Sequence, residues 1–131
     1  MLIGVDLQKD PSVIERAYND SAGVTAEFNL NILRHLNREF GSDFDLDSWE
    51  HKAHYNQAEG RIEIRLINAE RQTVNINGNS IVIERGEGIL TEYSHKYTLE
   101  GFAEMAQSAG FKVARVWTDP NTLFSAQYCT R

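Results

Sequence analysis

Hydrophobic residues recur at steps of three and four in one stretch, and this period predicts an amphipathic helix from Val24 to Phe40. Gly41 is suited to end it as a C-terminal capping residue. The apolar positions form one stripe, which we expect to pack in the core. This stripe comprises Phe28, Ile32, Leu33, Leu36 and Phe40. The asparagines and arginines of the same helix fall mostly on its other faces.

From Trp49 onwards the period changes to two, which indicates strands with one buried and one solvated face. Within Arg61–Ala69, isoleucine and leucine alternate with arginine and glutamate. Turn residues at 57–60 and 77–80 join neighbouring strands as hairpins. We predict one antiparallel sheet with a wet face. Its strands are 49–56, 61–69, 72–76, 81–84 and 89–95.

An apolar run, Leu2–Leu7, predicts a buried strand at the start of the chain. A buried strand needs a neighbour on each side, so we expect the protein to continue upstream or the chain to be a piece of a longer one. An unpaired edge beside this strand would recruit a partner, which makes a homodimer through that edge a further expectation. Asp10 and Pro11 then predict the start of a helix that runs to about Asn19.

A helix and two strands close the chain. Thr98 is suited to cap the helix, Tyr97 and Phe102 are placed as a hydrophobic staple, and the strands cover 111–118 and 123–130. This ending differs from the antiparallel middle, so we predict that it completes the sheet of residues 1–7. The fold class is therefore α+β, with helices packed on an antiparallel sheet in a lobe at 8–97. That lobe is inserted between the strand at 1–7 and the elements at 98–131 of a larger α/β sheet.

Charge and composition exclude several classes of function. The 131 residues carry a net charge of −6, which argues against a nucleic-acid binder because such a protein needs a basic face. No stretch is long and apolar enough to cross a bilayer. The single cysteine, Cys129, has no partner for an internal disulfide, so we expect a reducing, cytoplasmic location.

The acidic and histidine residues do not predict a metal site. Asp43, Asp45 and Asp47 alternate as at the start of a calcium loop, but the required glycine and final glutamate fall at Ser48 and His54. We interpret the segment as a polar connector whose apolar residues enter the core. The four histidines match no zinc pattern, and we expect them to be surface groups.

Candidate chemistry centres on Glu92 and Ser94, which stand two apart in a predicted strand and therefore share a face. Spacing alone favours a solvated strand face, where such pairs are common. A carboxylate beside a hydroxyl is also able to hold a small ring with N–H groups, such as an imidazole. The carboxylate accepts one N–H, and the hydroxyl donates or accepts as the ring tautomer requires.

Characteristic sequence motifs occur along nearly the whole chain. They support the interpretation that Glu92 and Ser94 bind a ring with N–H groups. The chain resembles the C-terminal half of the histidine-specific Nα-methyltransferases of ergothioneine biosynthesis, which convert histidine to hercynine with S-adenosylmethionine. The matching segments are Gly4-Val5-Asp6-Leu7, Lys9-Asp10, Ala17-Tyr18-Asn19-Asp20, Ala22-Gly23-Val24-Thr25-Ala26, Phe28-Asn29, Asn37-Arg38-Glu39, Asp43-Phe44-Asp45-Leu46-Asp47, Tyr55-Asn56, Arg61-Ile62-Glu63, Thr91-Glu92 with Ser94 and Lys96, and Val116-Trp117-Thr118-Asp119.

The resemblance implies roles for three residues of this chain. Glu92 and Ser94 match the imidazole-binding pair of the family, and Tyr18 matches a tyrosine that contacts the carboxylate of the substrate, L-histidine. Ile64 departs from the family, whose bacterial members often have methionine there, and should tune the apolar wall beside the ring. The resemblance also implies that the flanking elements belong to the C-terminal end of a Rossmann-like methyltransferase sheet.

The same resemblance implies what this chain lacks. The family binds S-adenosylmethionine on earlier strands, through a glycine-rich loop and an acidic ribose contact, and holds the amino-acid end of the substrate with an upstream asparagine. We therefore expect no cofactor binding and no catalytic residue in this chain alone, although the complete enzyme uses S-adenosylmethionine. Two alternatives remain: a stand-alone, non-catalytic module that binds an amino acid, and an inactive fragment.

Overall fold

Two three-stranded sheets and one separate hairpin organise the chain, which a computed structural model describes over residues 1–131. The helices are α1 (Pro11–Tyr18), α2 (Val24–Phe40) and α3 (Leu99–Ser108), and a short 3₁₀ turn covers Leu46–Ser48. The strands are β1 (Leu2–Asp6), β2 (Trp49–Asn56), β3 (Arg61–Asn68), β4 (Gln72–Ile76), β5 (Asn79–Ile83), β6 (Gly88–His95), β7 (Lys112–Thr118) and β8 (Phe124–Thr130). No helix has the length and apolar character that a membrane span requires.

The sheet β2-β3-β6 is antiparallel, with β3 in the centre. Helices α1 and α2 cover one of its faces, because the isoleucines and leucine of β3 alternate with charged residues and need an apolar surface to pack on. Ile62 and Leu66 of β3 are completely buried there. The opposite face carries Arg61, Glu63 and Arg65, as the period of two predicts.

The sheet β1-β8-β7 is also antiparallel, and it joins the two ends of the chain. Helix α3 packs on it through Phe102 and Ala106, which form a core with residues of β1 and β8. The predicted cap and staple of α3 are confirmed. Thr98 accepts a hydrogen bond from the backbone N–H of Gly101, and the rings of Tyr97 and Phe102 meet edge to face at 5.8 Å.

The two sheets meet where the chain leaves β1 and returns after β6. Leu7 and Tyr97 form an isolated parallel bridge. The backbone N–H of Gln8 donates to the carbonyl of Tyr97 at 2.9 Å, and that of Tyr97 donates to the carbonyl of Asp6 at 3.1 Å. Strand β1 has β8 as its only partner in the sheet, so the predicted burial of this strand is confirmed only in part. Val5 and Leu7 are buried in the core with α3, whereas Leu2 is 66% exposed.

The expectation of a single five-stranded sheet in the middle of the chain is wrong. Strands β4 and β5 pair only with each other, and β6 pairs with β3. The side-chain amide of Asn68, at the end of β3, donates to the carbonyls of Ile83 and Glu84. These two hydrogen bonds join the end of β3 to the end of β5. The β4–β5 hairpin therefore lies outside the sheet, and the chain returns to it as β6.

The expectation that the apolar stripe of α2 is core also fails in part. Leu33 is 1% exposed, but Phe28 is 72% exposed, and Ile32 and Phe40 are exposed as well. The reason is that β2 and β3 contact α2 along a face that contains Leu33 and the buried Asn29, which leaves one edge of the stripe uncovered. By contrast, the connector behaves as predicted, since Phe44 is buried and Leu46 packs against the same cluster.

Candidate substrate-binding site

Two of the three predicted site residues meet at the end of α1. The hydroxyls of Tyr18, the last residue of α1, and Ser94, on β6, lie 2.8 Å apart. The ammonium of Lys96 donates to both, at 2.7 Å to Tyr18 and 2.8 Å to Ser94. Tyr18 also packs against the apolar cluster beneath α1, which fixes its ring.

The third residue, Glu92, does not join this cluster but shares the face of β6 with Ser94. Ser94 pairs with Ile62 and Glu92 pairs with Ile64, so both point to the side of the sheet that carries the helices. The carboxylate of Glu92 makes no side-chain hydrogen bond or ion pair. It lines a cavity of about 320 Å³ between α2 and the sheet. The cavity is formed by Thr25, Phe28, Asn29, Asn31, Ile32, His35, Ile64, Thr91 and Glu92.

A β-bulge shapes the wall of this cavity. The register between β3 and β6 shifts after Ile64, so that Thr91 becomes the extra residue between Leu90 and Glu92. The hydroxyl of Thr91 donates to the carbonyl of Ile64 at 3.0 Å and pins the bulge. Ile64 itself lies in the cavity wall beside Glu92, where its side chain borders anything that the carboxylate holds.

Polar side chains fasten the end of α1 to the free edge of β2. The side chain of Asn19 exchanges two hydrogen bonds with the backbone of Ala53, and Glu15 accepts from the backbone N–H of Tyr55. The imidazole Nε2 of His51 lies 2.9 Å from the carbonyl of Tyr18, to which it donates. These contacts on either side of Tyr18 hold its backbone in place over β6.

Asp20 positions the start of α2, and with it the far wall of the cavity. Its carboxylate accepts the backbone N–H groups of Val24 and Thr25, at 2.9 and 3.1 Å. The N–H groups of Thr25 and Val24 hold the pKa of this carboxyl below its usual range. In the segment Tyr18-Asn19-Asp20, one residue therefore faces the site, the next anchors α1, and the third caps α2.

Lys96 belongs to a group of three charged residues that is centred on Asp6. Asp6, at the end of β1, contacts Lys96 at 3.0 Å through one carboxylate oxygen and Lys9 at 2.6 Å through the other. Burial by itself raises the pKa of Asp6, but the hydrogen bonds and charges of the two lysines outweigh it and hold that pKa below the usual value.

Comparison with known proteins identifies the family. Residues 1–131 match the family described as histidine-specific methyltransferase, SAM-dependent. The chain belongs to this family. It is 41% identical over 133 residues to the histidine N-alpha-methyltransferase of Mycolicibacterium smegmatis, a match that covers all of the chain and 41% of the relative.

Other relatives have different names and functions. An ergothioneine biosynthesis protein 1 of Neurospora crassa is 32% identical over 92% of this chain and 14% of its own length. An L-tryptophan methyltransferase of Psilocybe serbica is 30% identical over 98% of this chain and 36% of its own. The chain thus spans about two fifths, or less, of the length of the curated relatives it matches.

Two cavities of the chain lack the groups expected around S-adenosylmethionine. The cavity at Glu92 is lined without a glycine-rich turn. A second cavity, of about 450 Å³ between α3 and β7, is lined by Ala103, Gln107, Phe111, Lys112 and Val113. Its only charged side chain is a cation, which suits neither a sulfonium nor the acidic contact that ribose hydroxyls need. No group of three acidic, histidine or cysteine side chains is placed to hold a metal ion.

Sequence reasoning missed three residues of this family member's site. Lys96 belongs to a matching segment but has no predicted role. It lies two residues after Ser94 and just beyond β6, which indicates the same side of the chain where the extended backbone continues. Asn29 is buried and donates to His51 Nδ1 and to the carbonyl of Arg65. The expectation that all histidines are surface groups is wrong for His51, because its ring bridges Asn29 and Tyr18. No pattern in the sequence marks that bridge.

Proposed function

We propose that this chain is the C-terminal, substrate-binding part of a SAM-dependent L-histidine Nα-methyltransferase. In this role Glu92 and Ser94 hold the imidazole ring, and Tyr18 steadies the carboxylate. The observation that carries the proposal is the carboxylate of Glu92, which lies at a cavity without a partner. It shares a face of β6 with Ser94, whose hydroxyl pairs with that of Tyr18. The family supports histidine as the substrate class.

The side chains of Glu92 and Ser94 on this face of β6 suit an imidazole. A free carboxylate accepts one ring N–H as a charge-assisted hydrogen bond, and a hydroxyl completes the contact at the other nitrogen. A volume of about 320 Å³ is at the lower end of the usual range for small-molecule sites. The apolar wall at Ile64 and Ile32 borders the ring without competing for its polar atoms.

The relatives of this chain include enzymes named for histidine and for tryptophan. An indole ring has one N–H donor and no acceptor nitrogen, whereas an imidazole is able to use both a carboxylate and a hydroxyl. A site with both groups therefore favours histidine, because an imidazole pairs with both of them and an indole with only one.

We further propose that the flanking elements belong to a Rossmann-like sheet of the complete enzyme. On this proposal residue stretches 1–7 and 98–131 are part of that sheet, and residues 8–97 form the inserted substrate lobe. The pairing of β1 with β8, from opposite ends of the chain, supports it. S-adenosylmethionine would then be held by another part of the enzyme, since neither cavity here has the groups expected around it.

Calorimetric titration of the chain with L-histidine, and then with S-adenosylmethionine, tests the proposal. We expect heat with histidine and none with the methyl donor. Replacing Glu92 by Gln should weaken histidine binding about 10- to 100-fold, since a hydrogen bond to a charged group contributes roughly 1.5–3 kcal/mol. Glu63→Gln, on the opposite face of the same sheet, should bind histidine like the parent chain.

Absence of histidine binding, or unchanged binding in Glu92→Gln, would contradict the proposed pocket. A stand-alone binding module would share the calorimetric result, so activity separates the two. We expect a chimera, in which the chain replaces the matching region of the Mycolicibacterium smegmatis relative, to methylate histidine. A folded chimera that binds both ligands without methyl transfer would favour the module.

A further inference from the structure

The ammonium of Lys96 is buried and fully engaged. Its side chain is 1% exposed. It lies 2.7 Å from the hydroxyl of Tyr18, 2.8 Å from that of Ser94, and 3.0 Å from a carboxylate oxygen of Asp6. An ammonium has three N–H donors and no acceptor, so each of its hydrogens has one partner.

Counting hydrogens shows what this does to the two hydroxyls. Tyr18 and Ser94 each accept one hydrogen bond from Lys96, and their oxygens are 2.8 Å apart. One hydroxyl must therefore donate to the other. The pair owns two hydroxyl hydrogens, one of which lies between the oxygens, so a single hydrogen remains to point out of the cluster.

Asp6 holds the ammonium in this arrangement from the other sheet. Its second carboxylate oxygen binds Lys9 at 2.6 Å, and Lys9 also donates to the carbonyl of Leu123. Because Asp6 fixes the ammonium and an ammonium has no acceptor, the two hydroxyl oxygens only accept from Lys96. Strand β1 is thereby tied to the end of α1 and to β6.

We propose that Lys96, anchored by Asp6, is a positioning residue that makes Tyr18 and Ser94 act as one unit donating a single hydrogen bond to the substrate. This inference rests on the proposed function, which assigns that pair to the substrate. Lys96 itself has no donor left for a ligand. Its effect on binding therefore passes through the two hydroxyls. For Tyr18 to hold the substrate carboxylate it must donate the outward hydrogen to it, so Ser94 donates to Tyr18 and meets the imidazole as an acceptor of a ring N–H.

A double-mutant cycle on the full chain separates positioning from a general structural role. Lys96→Met should weaken L-histidine binding about tenfold by calorimetry, the size expected for one misdirected hydrogen bond near a charge. In a Tyr18→Phe, Ser94→Ala background the same change should alter affinity less than twofold, because Lys96 then has no hydroxyl to direct. Lys52→Met, at an exposed position of β2, is the control and should bind like the parent.

The position of Lys96 is also tested without ligand, by NMR of its ammonium group. In a chain labelled with ¹⁵N-lysine, we expect an NH₃⁺ signal from Lys96, because buried and hydrogen-bonded ammonium hydrogens exchange slowly, whereas Lys52 should give none. Asp6→Asn, at a partly exposed position, should abolish the signal and weaken histidine binding in the same direction as Lys96→Met. It therefore serves as the second variant if Lys96→Met does not fold.

The outcomes are distinct. Parent-like affinity in Lys96→Met, an equal loss in both backgrounds, or absence of the Lys96 signal each overturns the positioning role alone. A chain that shows the Lys96 signal but takes up no histidine contradicts the proposed function, and the positioning role is then overturned with it.

Discussion

The two faces of the sheet β2-β3-β6 each carry a glutamate, and the two carboxylates have opposite surroundings. Glu63, on the open face, accepts hydrogen bonds from Arg61, Asn56 and Arg65. Glu92, on the face covered by helices, has no such partner and borders a cavity. The difference lies in the neighbours. The carboxylate of Glu63 is held by three side chains and is only 14% exposed, whereas that of Glu92 is exposed at its cavity and free to accept a ligand.

Aromatic and charged side chains on the open face also contact one another. The guanidinium of Arg61 lies 3.9 Å from the centre of the Tyr93 ring, and the rings of Tyr93, His95 and Tyr97 follow one another along its edge. Its charged and aromatic groups are thus matched among themselves. On the covered face, by contrast, stability and ligand binding are expected to depend on the same few residues.

The largest expected effect is on stability and sharpens this contrast. Ile62→Ala removes a completely buried side chain beneath α1, and should lower the free energy of unfolding by about 2–5 kcal/mol. Urea denaturation followed by circular dichroism measures it. Leu90→Ala, at a partly exposed position on the open face of β6, is the matched control and should have a much smaller effect. Equal losses would show that both faces support the fold alike.

A smaller loss is expected from the buried amide that holds His51. Asn29→Ala leaves the Nδ1 of His51 and the carbonyl of Arg65 without their donor, which should destabilise the chain by about 1–3 kcal/mol. The same denaturation experiment applies, with Asn31→Ala, exposed on the same helix, as the control for stability only, because Asn31 lines the cavity. We also expect weaker histidine binding, because His51 fixes Tyr18. Unchanged stability and affinity would remove Asn29 from the site.

The smallest effect concerns acid. The hydrogen bond from Arg61 above all, with those from Asn56 and Arg65, lowers the pKa of Glu63. A carboxyl with a lowered folded pKa stabilises the fold above its unfolded value of about 4.3, and this contribution is lost as pH falls through the folded value. Between about pH 5 and pH 3, the parent should therefore lose stability more steeply than Glu63→Gln.

At neutral pH, the stabilities of Glu63→Gln and Glu92→Gln provide a control for this pH dependence. Glu63→Gln breaks charge-assisted contacts and should destabilise slightly, whereas Glu92→Gln breaks none and should leave the unfolding midpoint unchanged. A destabilised Glu92→Gln would mean that this carboxylate has a structural partner, and the contrast between the faces would be lost.

Much of the fold follows from the sequence because local signals agree there. The bounds of α2, β2 and β4 are as predicted, since caps, turns and periods coincide at their ends. The side of β6 that carries Glu92 and Ser94 follows from alternation alone. The separation of β4 and β5 from the sheet does not, because it depends on Asn68 reaching the carbonyls of Ile83 and Glu84, which are distant in sequence.

The same distinction applies to the site. Residue types and spacing marked Glu92 and Ser94, and the family resemblance marked Tyr18. The contacts of Lys96 with Asp6 and of His51 with Tyr18 bring together residues from separate elements, so no local period encodes them. The exposed Phe28 shows the converse error: an apolar stripe predicts burial, but whether a surface is there to cover it depends on where the sheet ends.

The bridge between Leu7 and Tyr97 bears on the order in which the chain folds. Because the ends of the intervening segment are hydrogen-bonded neighbours, folding of that segment first would bring β1 close to β8 before those strands pair. The loop that β1–β8 pairing must close would then be short, and its entropic cost correspondingly lower. The pairing of β1 with β8, which is distant in sequence, would thus form late and across a short loop. The folded lobe would bring together the strands of the sheet at its base.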